Sequence, residues 1–163
     1  MAIKCPGCGA NVSDYDKACS YCGSINTDYR SPDKETTIKM GDGMEAFKNG
    51  QYASAIRCFL DVIDLTPEVF DAHLYLSACQ SALNRPQEAL KAMEQAQKLR
   101  PGSAPLYYNL AILCKQTGRK EDAKKYLDQA LLIAKTDTVL PDPKDFEKLV
   151  KKELNQTKRW KFF

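Results

Sequence analysis

The sequence predicts an all-α solenoid of three stacked helix-turn-helix units closed by a further helix, with a small metal-stapled module of hairpin and knuckle turns in front. Three observations carry this. The 163-residue chain repeats itself at an interval of 34 residues between about Ile38 and Lys135. Four of its seven cysteines fall within the first 22 residues as two Cys-x-x-Cys pairs. An amphipathic stretch with a basic face follows the last repeat.

With 44% hydrophobic and 28% charged residues, the chain can bury one ordinary core and carry a small second module. No apolar run approaches the ~20 residues needed to span a bilayer. The opening MAIKCPGCGA lacks the continuous apolar stretch of a secretory signal, so the expected compartment is cytoplasmic. The net charge of +3 is unevenly placed: residues 1–37 sum to −1, residues 38–143 to zero, and the last twenty to +4.

Residues 1–25 form the first unit, built on CPGCGANVSDYDKACSYCG. Four thiolates spaced Cys-x2-Cys-x10-Cys-x2-Cys suit one tetrahedral zinc ion, because each short pair turns two sulfurs toward a common centre. The predicted ligands are Cys5, Cys8, Cys19 and Cys22, and Gly9 and Gly23 let backbone amides turn back toward the sulfurs. Four cysteines close the coordination shell, which argues against metal-assisted hydrolysis. A segment this short cannot build a useful apolar core, so coordination must supply the folding free energy, on the order of 10 kcal/mol. The negative segment, made more negative by four thiolates, opposes binding to phosphate. The run resembles the short zinc-ribbon modules attached to many bacterial proteins, which implies one structural Zn2+ and says little about activity. A rubredoxin-like iron centre also uses four cysteines, but that family spaces its pairs farther apart among aromatic residues.

Residues 26–36 are polar, lack apolar periodicity and read as a linker, with the Ser31 to Thr37 stretch able to lead directly into the next helix. Amphipathic helices then follow in three units, approximately 37–67, 70–101 and 104–135. Gly43, Ser77 and Ala111 are all small, Ala55, Ala89 and Ala123 are identical, and Phe59, Met93 and Leu127 are large and apolar. Gly50, Asn84 and Gly118 mark the turn inside each unit, and Pro67 and Pro101 close the first two. Small residues on facing helices permit close approach, and stacking buries a face that one pair alone would leave exposed.

These residues resemble the tetratricopeptide repeat family, and GMEAFKNGQYASAIRCFLDVIDLTP is the unit nearest its pattern. Pro86 and Lys120 depart from it where Tyr52 stands in the first unit, as does Lys135 where a Pro would close the third. Residues 142–157 are expected to form a capping helix, with Asp142 as cap, Pro143 at the first turn, and Phe146, Leu149, Val150 and Leu154 on one apolar face.

The resemblance implies a concave surface that binds peptides or partner helices. Projecting positions 34 apart onto it gives three columns: Met40, Leu74 and Tyr108; Met44, Ala78 and Ile112; Phe47, Ser81 and Lys115. One subset of the family grips acidic chaperone tails with a cationic clamp, but the matching positions here are Met40, Met44, Tyr75, Pro105 and Asn109, none of them cationic. A Met-containing, mostly apolar lining favours an apolar peptide or amphipathic helix. His73 lies among Leu74, Tyr75 and Leu76 as a packing residue, and Cys58, Cys79 and Cys114 behave as partly buried apolar residues. The tail Lys158, Arg159, Trp160, Lys161, Phe162 and Phe163 interleaves cations with aromatics, a pattern that suits a partner's groove, an anionic membrane surface or nucleic acid, or simply a flexible end.

The expected function is a non-enzymatic adaptor between proteins. Two alternatives are a regulator touching nucleic acid through the ribbon or tail, and an accessory or redox subunit of an enzyme complex.

Overall fold

The computed structural model describes residues 2–13, 16–19, 21–27, 33–137 and 140–158. Two short strands, β1 (Ala2–Lys4) and β2 (Asn11–Ser13), pair antiparallel with Ile3 opposite Val12. Seven helices follow among the described residues: α1 (Lys34–Lys48), α2 (Tyr52–Leu65), α3 (Phe70–Ala82), α4 (Pro86–Leu99), α5 (Ala104–Gln116), α6 (Lys120–Ala134) and α7 (Pro143–Lys158).

Helix α1 begins inside the stretch expected to be linker, and its cap explains why. Asp33 Oδ1 accepts from the Thr36 amide at 2.8 Å and Oδ2 from the Thr36 hydroxyl at 2.9 Å, satisfying an otherwise orphaned N–H before the periodic pattern starts. The turn inside each unit then repeats one device. Gly50, Asn84 and Gly118 adopt φ of 72°, 57° and 78°, and the amides of Gln51, Arg85 and Arg119 reach back to Ala46, Gln80 and Cys114 carbonyls at 2.8–2.9 Å. The left-handed residue reverses the chain, and α2, α4 and α6 pack against α1, α3 and α5.

Close pairing follows from the small positions. A Cβ added to Gly43 would stand 2.7 Å from the Phe59 ring, so the ring occupies the space a larger residue would need. Phe59 is fully buried, worth about 2–3 kcal/mol of apolar transfer. Ser77, at the equivalent place in the second unit, donates its buried hydroxyl to the Ala89 carbonyl at 2.8 Å and so avoids an unsatisfied polar atom.

The core crosses unit boundaries. Phe59 and Ala55 of α2 pack with Leu76 and Cys79 of α3, and Phe70, Met93, Leu110 and Ala123 from four successive helices share a second cluster. Polar contacts tie the inter-unit turns: the Thr36 and Thr66 hydroxyls lie 2.9 Å apart, the buried His73 places Nε2 2.8 Å from the Pro67 carbonyl, and Asp137 accepts from the Ala104 amide at 3.0 Å.

Helix α7 closes the stack. Asp142 accepts from the Asp145 amide at 3.0 Å, and Val150, with no exposed surface, joins Tyr107, Ala111 and Leu127, with Phe146 and Leu154 beside them. Leu149 departs from the expected apolar face: it is 43% exposed, one helical step off the contact stripe.

Candidate functional site

The four predicted ligands converge. Their sulfurs all lie within 4.8 Å of one another, with Cys5 and Cys22 3.6 Å apart and Cys8 and Cys19 3.7 Å apart. A tetrahedral zinc at a Zn–S distance of about 2.3 Å sets sulfurs about 3.8 Å from each other, so the donor set fits that ion.

The two Cys-x-x-Cys turns repeat one another. The Cys5 amide donates to Ala10 and the Gly9 amide to Cys5; fourteen residues on, Cys19 donates to Ser24 and Gly23 to Cys19, all at 2.8–2.9 Å. Gly9 and Gly23 share a φ of 71°. The Gly7 and Tyr21 amides point at Cys5 and Cys19 sulfurs from 3.3 and 3.4 Å, offsetting negative charge there. The Ser24 hydroxyl, 3.1 Å from Cys22 Sγ, and the Ser24 backbone draw the Cys22 thiol down to about 6, whereas burial pushes the Cys19 thiol up.

This module docks on the solenoid at the turn between α4 and α5. Asp16, almost fully buried, accepts from Arg100 Nε at 3.0 Å, while its backbone carbonyl accepts from Asn26 at 2.8 Å. The Arg100 guanidinium also lies over the Phe70 ring, 4.1 Å from its centroid. The Tyr21 ring lies flush on Gly102, where an added Cβ would come within 2.7 Å of it.

A groove of about 410 Å³ runs along the first helices of the units. Of the predicted lining, the structure brings together Phe47, Leu74, Ala78, Ser81 and Ile112. Met40 and Met44 instead pack, partly buried, against the core around Phe59. Tyr108 meets Phe146 of α7 edge-on at 6.0 Å, and Lys115 Nζ pairs with Glu153 at 3.2 Å and reaches Gln156 at 3.4 Å. The third member of two columns is thus engaged by the chain's own last helix, Tyr108 half-buried and Lys115 still exposed.

Sequence columns missed other lining residues. Tyr75 and Asn109 stand one position beyond Leu74 and Tyr108, and Gln116 one beyond Lys115. A stripe at least 100° wide, rather than one position per repeat, would have included them. Met93 of α4 contributes because Ser77 and Ala78 above it are small. Tyr75 stacks on Phe59 at 5.5 Å and meets Phe47 edge-on at 5.4 Å, forming a rigid aromatic wall.

Cys79 and Cys114 are fully buried, and desolvation pushes both thiols up to about 11, which leaves them inert. Lys158 ends α7, and Arg159, Trp160, Lys161, Phe162 and Phe163 lie outside the described residues.

Two models of the tetratricopeptide repeat match residues 42–104 and 82–140, together running from the middle of α1 past the end of α6. The chain belongs to the tetratricopeptide repeat family. Among curated relatives of this repeat protein, the STIP1 homolog of Dictyostelium discoideum is 31% identical over 109 residues, covering 67% of this chain and 19% of the relative. A peroxisomal targeting signal receptor of Candida albicans is 29% identical over 108 residues, covering 63% of this chain and 18% of the receptor. The chain therefore spans about a fifth of the length of the curated relatives it matches.

Solved structures share the fold. The Yersinia enterocolitica type III secretion chaperone SycD, in complex with a peptide of the translocator YopD, superposes with a TM-score of 0.70 at 18% identity, covering 79% of this chain and 96% of that one. The first repeat domain of Spaghetti (RPAP3), bound to the HSP90 peptide SRMEEVD, gives 0.63 at 17% identity, covering 77% and 92%. No described helix is long and apolar enough to cross a membrane.

Proposed function

We propose that the protein is a non-enzymatic adaptor whose groove takes an apolar peptide or the apolar face of an amphipathic helix. The observation that carries this reading is the lining itself: the apolar and aromatic Phe47, Leu74, Tyr75, Ala78, Met93, Ile112 and Leu113, joined by the neutral polar Ser77, Ser81, Asn109 and Gln116. The SycD and Spaghetti neighbours hold peptides, which supports peptide binding as the use of this surface. The Spaghetti ligand is acidic, whereas no Lys or Arg lines this groove among the described residues and the nearby Lys115 is paired with Glu153. An acidic peptide would lose hydration there without gaining a cationic partner.

The N-terminal module fits a zinc ribbon in this reading, with Cys5, Cys8, Cys19 and Cys22 holding one Zn2+. The ion would supply folding free energy rather than chemistry, because the four sulfurs leave no open coordination position.

Fluorescence anisotropy with two labelled peptides tests the groove. An amphipathic helical peptide should bind and lose affinity at least tenfold with Ile112→Glu, while a peptide ending in Glu-Glu-Val-Asp should not bind. The opposite ranking would overturn the proposal.

A further inference from the structure

Helix α7 lies alongside α5 and runs in the same direction. Phe146 meets Tyr108 near the starts of the two helices, and Glu153 and Gln156 meet Lys115 near their ends. The C-terminus of α7 is therefore delivered to the C-terminal end of α5. The groove extends from Leu74 and Asn109 to that same end, where Phe47, Ser81 and Gln116 line it from the last turns of α1, α3 and α5.

The residues that follow α7 are Arg159, Trp160, Lys161, Phe162 and Phe163. Five extended residues reach about 17 Å, and packed helices stand about 8–10 Å apart. Gln156, three residues before this segment, meets Lys115, whose neighbour Gln116 is already part of the lining. Its three aromatic rings match an apolar cavity of about 410 Å³, within the range of about 300–1,000 Å³ typical of ligand pockets. Its Arg and Lys can stay in water at the rim while the rings enter.

We infer that the chain's own residues 159–163 occupy the groove between α3 and α5 and act as an internal competitor for the partner peptide. This rests on the groove being a peptide site, as proposed above. Tethering places the tail at an effective concentration in the millimolar range, so even a weak contact holds it in place until a tighter ligand displaces it.

Trp160 is the protein's single tryptophan and reports on this directly. In the full chain its emission should be blue-shifted and shielded from acrylamide, and addition of the amphipathic peptide should move it to the emission of exposed indole. Ile112→Glu, and independently Ser81→Arg at an exposed position, should produce the same red shift with the helical circular dichroism unchanged. Removal of residues 159–163 should raise peptide affinity several-fold. An exposed Trp160 in the full chain, with the shortened chain still binding the amphipathic peptide at unaltered affinity, overturns self-occupancy and leaves the groove proposal standing. Failure of both chains to bind peptide, with Trp160 exposed, removes both. A blue shift that appears only with rising protein concentration and a dimeric mass assigns the tail to a second copy and overturns the internal contact.

Discussion

Asp16 and Arg100, 84 positions apart, meet at 3.0 Å with the carboxylate side chain only 3% exposed. The contact joins the cysteine module to the α4–α5 turn, and the Phe70 ring beneath the guanidinium fixes its plane. Replacing Arg100 by Ala strands a buried carboxylate, and because Arg100 is itself partly exposed the cost should be about 1–3 kcal/mol rather than the larger value of a fully buried pair. Limited proteolysis read by mass spectrometry should show faster cleavage in residues 1–33 for Arg100→Ala, with the melting of the helices shifted little. Unchanged cleavage would mean that the ion pair does not hold the module.

Tyr21 and Gly102 form the second half of that interface. Gly102→Leu should push the ring off the turn and cost about 1–3 kcal/mol by overpacking. Tyr21→Ala should relieve most of that penalty, so a double-mutant cycle should give a coupling of about 1 kcal/mol or more. Additive effects would place the two residues out of contact.

Removing metal should unfold the first module alone. After chelation, alkylation at pH 8 should label Cys5, Cys8, Cys19 and Cys22 together, while Cys79 and Cys114 stay unmodified as long as the helices persist. The sign follows from their thiols lying near 11: at pH 8 only about one in a thousand is thiolate, the reactive form, and burial blocks access as well. Loss of helical circular dichroism on chelation would contradict an independent module.

Asn84 carries the left-handed turn that Gly50 and Gly118 carry in the other units. Asn84→Gly should be neutral or slightly stabilising, and Asn84→Val should cost about 1–2 kcal/mol. Urea denaturation measures both.

The solenoid was legible because repetition forces equivalent positions into equivalent surroundings: Gly43 faces Phe59 for the same reason that Ser77 faces α4. The cysteine centre was legible because its spacing is set by the geometry of two tight turns. Neither rule reaches the contacts made once. The Asp16 to Arg100 pair has no periodic signal, and Asp16 looks in sequence like any polar loop residue. The contacts that α7 makes with Tyr108 and Lys115 were likewise hidden, since a capping helix was expected but the residues it meets were assigned by repeat register alone. The early start of α1 depended on one cap, Asp33, sitting in a polar run that contains several other candidates.

The turns leading into α3 and α5 are near-copies in backbone, with Thr66 and Arg100 closing their helices in similar extended conformations, yet only the second receives the module. Where it has Arg100 and Gly102, the preceding turn has Thr66, already engaged with Thr36, and Glu68, and the repeat position that follows Arg100 is Ala134, buried in the last turn of α6. Arg100 by its guanidinium and Gly102 by its lack of a side chain thus turn a repeating surface into one with a unique address. Inserting a whole repeat ahead of that address would carry it one helix pair farther from the N-terminal module, whereas a repeat added behind it would leave the docking undisturbed. The array is free to lengthen in one direction only.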